Sequence, residues 1–125
     1  MIRTRRVYLP PGPGDGVRVL VDRLWPRGLA RKAAAVDLWL REVAPSDALR
    51  RWYGHDPARW ARFVRRYHAE LEARPEAVDR LLALAREGPV TLLFAARDTE
   101  RNNAVALRAF LEARLRRRPA ADPSG

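Results

Sequence analysis

Two polar segments hold most of the side chains able to do chemistry: DRLWPRG at residues 22–28 and RDTERNN at residues 97–103. Arg23, Arg27 and Arg97 offer rigid, permanently charged forks that match a phosphate or a carboxylate. Asp22 and Asp98, one from each segment, are the carboxylates placed to act as base or nucleophile. Trp25, stiffened by Pro26, is a flat wall against which a planar ligand can stack, and Gly28 closes the same group of ligand-binding positions. His55, on the glycine-containing loop WYGHD at residues 52–56, can carry a proton near neutral pH. Asn102 or Asn103 can cap a following helix, which turns its first amides toward the same place. Each residue also has a purely structural alternative. The arginines can pair with Asp22 and Asp98, Trp25 can cover a core edge, and His55 can be an exposed imidazole.

These residues need elements to hold them. Residues 2–9 form a first strand, followed by the turn-rich PPGPGDG, and residues 17–22 form a second from alternating β-branched positions. Residues 35–44 fit a helical face and a strand alternation equally, so both remain open. Ser46 caps a short helix through about Trp52. Asp56 and Pro57 start another that carries Trp60, Phe63, Val64, Tyr67 and Leu71 on one face and ends near Arg74. Pro75 opens the next, which buries Val78, Leu81, Leu82 and Ala85 until Gly88 stops it. The apolar run at residues 90–96 suits a strand covered on both faces. A last helix turns Ala104, Leu107, Leu111 and Leu115 inward. Strands reached through helices imply parallel pairing, hence an α/β fold: a small single-domain three-layer sheet with at least two parallel strands and flanking helices. The domain covers residues 1–118, and residues 119–125 form a tail with nothing to bury. Ligands of such sheets gather at the carboxyl ends of the strands. If the second strand and the strand at residue 90 are parallel neighbours, the two polar segments meet there.

Composition narrows the partners. With no cysteine and only two histidines among 125 residues, disulfide, thiolate and transition-metal chemistry are set aside, and no cofactor is expected. No apolar run is long enough for a signal or a membrane span, which points to a cytoplasmic protein with no membrane partner. The net charge is +10, and Lys32 is the sole lysine among 25 basic residues, leaving 24 arginines. Such usage follows from a GC-rich genome as readily as from phosphate contact. Acids at helical spacing, such as Glu70 after Arg66, read the charge as a solvated surface.

The segments VDRLWPRG, APSDALRRWYGHDPARWARFVRRYHAEL and TLLFAARDTERNNAVAL together resemble the YeaO-like proteins, grouped as domain of unknown function 488. The resemblance spans roughly residues 6–115. It implies a compact single-domain α/β fold and assigns no activity, so no residue is carried over as catalytic. Arg97 stands where a lysine is common. The residues themselves support a small enzyme or binding protein for an anionic, phosphate- or nucleotide-like molecule. The alternative is a nucleic-acid-binding or accessory protein using its arginine-rich surface, with Arg59, Arg62 and Arg66 in a row on one helix. A monomer and a homodimer are both compatible with the sequence.

Overall fold

The computed structural model describes residues 1–117; the tail expected at residues 119–125 lies outside them. In chain order the elements are β1 (Ile2–Arg6), β2 (Val17–Leu20), a one-turn α1 (Arg31–Ala34), β3 (Leu38–Trp39), α2 (Asp47–Tyr53), α3 (Trp60–Glu72), α4 (Pro75–Glu87), β4 (Val90–Phe94) and α5 (Asn103–Arg116). Four parallel strands run in the order β1-β4-β2-β3. β4 is therefore central, with Val90 in register with both Ile2 and Val17, and all five of its residues are buried. Its continuous apolar run is the signature of a strand covered on both faces.

The two covering layers are unequal. Ile2, Val17, Val19, Val21, Val90, Leu92 and Phe94 face one side, where α2 to α5 supply the main core. Phe63, Tyr67 and Leu71 of α3 and Val78, Leu81 and Leu82 of α4 fill it. On the other side Val7, Leu20 and Leu93 meet Ala34 of α1 and the partly buried Trp25, Leu29, Val36, Trp39 and Ala95. Arg18 is buried on this thinner side. Its guanidinium lies 2.6 Å from the Asp15 carboxylate and donates to the Ala34 and Ala35 carbonyls at 3.0 and 2.8 Å.

Local chemistry sets the helix ends. Ser46 Oγ accepts the Leu49 N–H, the capping bond expected of it. Asp56 caps a 3₁₀ turn at Pro57–Arg59 that leads into α3. α3 stops at Glu72, slightly before Arg74, where the residue preceding Pro75 takes an extended φ of −128°. Residues 35–44 are neither one helix nor one strand. Leu38–Trp39 pairs with Val19 and Leu20, and a 3₁₀ turn at Arg41–Val43 follows. The Arg66–Glu70 pair suggested by spacing does not form. Glu70 turns both carboxylate oxygens to Ser46, accepting its N–H at 2.8 Å and its hydroxyl at 2.6 Å, while Arg66 lies over the Trp52 ring.

Candidate functional site

Because β2 and β4 are parallel neighbours, the segments that follow them emerge at the same edge of the sheet. Asp22 fastens them together. One carboxylate oxygen accepts the Ala95 N–H at 2.9 Å, and the other accepts the Asn103 side-chain amide at 3.0 Å. The same Asn103 amide donates to the Val21 carbonyl, and the Asp22 carbonyl accepts the Trp39 indole N–H. A single acid thus ties the ends of β2 and β4 to the start of α5 and to β3. Burial raises its carboxyl above the ordinary value of 3.8, against the lowering effect of the Asn103 and Ala95 bonds.

A cavity of about 510 Å³ opens at this edge. Asp22, Arg23, Trp25, Arg27, His55 and Asn102 line it, so six of the nine residues singled out from the sequence come together. Asp98, Arg97 and Gly28 stand outside the lining. Asp98 organises its own turn, accepting the Glu100 and Arg101 N–H groups at 2.9 and 3.0 Å and pairing with the Arg101 guanidinium at 3.2 Å. Those two backbone bonds hold its carboxyl below the usual range. Arg97 is exposed. Gly28 adopts φ +75° in the turn after Arg27.

Within the lining the side chains are differently committed. Asn102 is buried with both ends of its amide engaged, accepting from Val105 N–H to cap α5 and donating to the Asp98 carbonyl. Trp25 donates to the Leu29 carbonyl, packs edge-on against Trp39 with centroids 5.4 Å apart, and carries the Arg31 guanidinium 4.5 Å from its ring centre. His55 is exposed with a left-handed φ of +57°, its ring centre 6.2 Å from that of Tyr53. Burial raises the Tyr53 hydroxyl, with the Asp98 charge adding to it.

The sequence reading missed part of the lining, Tyr8, Arg50, Arg51 and Arg101, and had Asn103 only as an alternative cap and Tyr53 only as a neighbour of His55. Two of these carried a signal. With Leu49 and Tyr53 four residues apart on the buried face of α2, Arg50 and Arg51 must project elsewhere. Which way depends on where α2 docks, and that is a tertiary fact.

A family model described as "Inactive DUF488-N3 subclade" matches residues 1–125 of the chain. The chain belongs to that subclade. Its relatives include the uncharacterized protein YeaO of Escherichia coli (strain K12), 40% identical over 110 residues that cover 88% of this chain and 96% of the relative. The uncharacterized proteins Rv3073c of Mycobacterium tuberculosis (strain ATCC 25618 / H37Rv) and Mb3100c of Mycobacterium bovis (strain ATCC BAA-935 / AF2122/97) are each 41% identical over 113 residues, 90% of this chain and 95% of theirs. The YeaO-like resemblance carried by the sequence motifs is thus a family membership. No solved structure matches the chain. Among the described residues no helix is long and apolar enough to cross a membrane.

Proposed function

We propose that this protein binds a small anionic molecule, phosphate- or nucleotide-like, without transforming it. The observation that carries the reading is the charge of the cavity. Five arginines, at positions 23, 27, 50, 51 and 101, line it, and Asp22 is the only carboxylate among the lining residues. Arg23 and Arg50 each lie near Asp47, at 3.6 and 3.7 Å, and Arg101 pairs with Asp98. Arg27 and Arg51 have no carboxylate within ion-pair distance among the described residues. They are the residues assigned to the anion, in a concave site where guanidinium forks recognise phosphate well.

Two features favour binding over catalysis. Asp22 and Asp98, the carboxylates first considered as base or nucleophile, both spend their oxygens on structural hydrogen bonds. The subclade's description as inactive agrees with that. Calorimetric titration with inorganic phosphate and a panel of mono- and dinucleotides tests the proposal. Arg27→Ala and Arg51→Ala are each expected to weaken the best binder about tenfold to a hundredfold, the loss of one charged hydrogen bond. Silence across the panel, or both variants binding as wild type does, would overturn it.

Asp22 gives the site a pH dependence. Its carboxyl is raised, so it takes up a proton above pH 3.8, and that proton removes the one negative charge of the lining. Anion affinity should therefore rise as pH falls through the raised value, and the contribution of Asp22 to folded-state stability rises as pH falls through that value toward 3.8. Asp22→Asn should bind the anion roughly threefold or more tightly at pH 7, with a flatter pH profile. Titrations at two pH values for both proteins check this.

A further inference from the structure

The outward face of α3 holds a second concentration of positive charge, distinct from the cavity. At about 100° per residue, Arg62, Arg65 and Arg66 fall within roughly one third of the circumference there, while Arg59, expected on the same helix, lies in the 3₁₀ turn that leads into it. All four are exposed, and they point away from the buried Phe63, Tyr67 and Leu71. The acids that might neutralise them are used elsewhere. Glu70 is held by Ser46, and Glu72 reaches Arg114 at 3.8 Å. Only Arg59 has an acidic partner, Asp56 at 3.7 Å. Among the described residues no carboxylate lies within ion-pair distance of Arg62, Arg65 or Arg66.

Trp52 orders this charge. The guanidiniums of Arg59 and Arg66 lie 5.3 and 4.3 Å from its ring centre, and Arg59 also donates to the Trp52 carbonyl. Two of the forks are therefore held on one aromatic plate, with less freedom to lose on meeting a partner.

We infer that this face of α3 binds the phosphate backbone of a nucleic acid duplex. An exposed helical face carrying arginines at successive turns suits a regular array of phosphates. The Trp52 ring is covered by guanidinium, so it is not free to stack on a base as single-strand binders require. Recognition is thus of backbone and independent of sequence.

Fluorescence anisotropy with a short labelled DNA duplex of mixed sequence tests the inference. The wild-type protein should bind at low ionic strength, with log affinity falling against log salt at a slope of about −3 to −4 for four phosphate contacts. R62E/R65E should bind at least roughly tenfold more weakly, while Arg86→Ala, exposed on α4 rather than on this face, should bind as wild type. Should R62E/R65E lose its helical circular dichroism, R62Q/R65Q carries the same test with a smaller loss. The inference is overturned by absence of wild-type binding at low salt, or by unchanged binding in the neutralised or reversed variants. It is also overturned if polyglutamate competes as well as duplex at equal charge, which would assign the face to an acidic protein.

Discussion

An Arg18→Ala variant is expected to lose about 3–5 kcal/mol of stability, the range for breaking a buried ion pair from one side. Arg18 and Asp15 have side chains only 5% exposed each, so removing the guanidinium leaves a carboxylate with little access to water and only the half-exposed Arg3, at 3.7 Å, as a charged partner. The Ala34 and Ala35 carbonyls lose their donors at the same time. The loss is large against the roughly 5–15 kcal/mol that a domain of this size has in total, and urea denaturation measures it. Replacing Asp15 and Arg18 together by apolar residues of similar volume should cost much less, because no charge is left unpaired. A result with the single and double variants equal would remove the pair as the cause.

The same pair contributes to the stability of the fold in acid. The Gly12 N–H bond, opposed by burial and helped by the Arg18 contact, holds the Asp15 carboxyl below its ordinary 3.8. A lowered folded-state value means that the stabilisation is complete above about pH 3.8 and is lost as pH falls through the depressed value. Arg18→Ala should weaken that dependence, leaving the part held by the Gly12 bond.

Gly16→Ala is the second large effect. Gly16 sits at φ +65°, where an alanine costs about 1–2 kcal/mol on conformational grounds alone. Its added Cβ would also stand 2.1 Å from the Pro89 carbonyl oxygen. That oxygen accepts the Val17 N–H at 3.1 Å, so neither backbone can retreat without breaking the junction of β2 and β4. The loss should exceed about 3 kcal/mol, in the class of severe backbone effects. Gly28→Ala is the control. It shares a positive φ, +75°, but a Cβ there meets nothing within 4 Å, so only the conformational cost of about 1–2 kcal/mol remains. Thermal melts of the two variants should therefore differ widely, and equal losses would discount the contact with Pro89.

What could be read from the sequence was local. Ser46, Pro75 and Gly88 mark helix ends through bonds made within a turn or two, and they hold in the structure. Parallel pairing followed from helices lying between strands; that β2 and β4 are neighbours was only a condition, and the structure meets it, bringing residues 22–27 and Asn102 to one cavity. What escaped depended on distant partners. Leu38–Trp39 is a strand because Val19 and Leu20 lie beside it, and nothing within residues 35–44 records that. Arg18 occupies the polar slot of an alternating strand and so resembles a solvent-facing residue. It is buried because the Asp15 loop and α1 fold over it. Arg66 and Glu70 stand at pairing distance along α3, yet Ser46 and Trp52 outcompete that pair.

The strand order has a consequence for how the chain is made. β1 pairs only with β4, and β2 meets β4 over most of its length. A ribosome releasing this chain from its first residue delivers Ile2–Arg6 long before Val90–Phe94, and in the interval the opening strand has no edge to join. The central sheet must therefore close late, as a non-local event that is slow compared with helix formation. During that wait the short β2–β3 pair and the helices of the middle of the chain are the regular structure available to shield its apolar side chains.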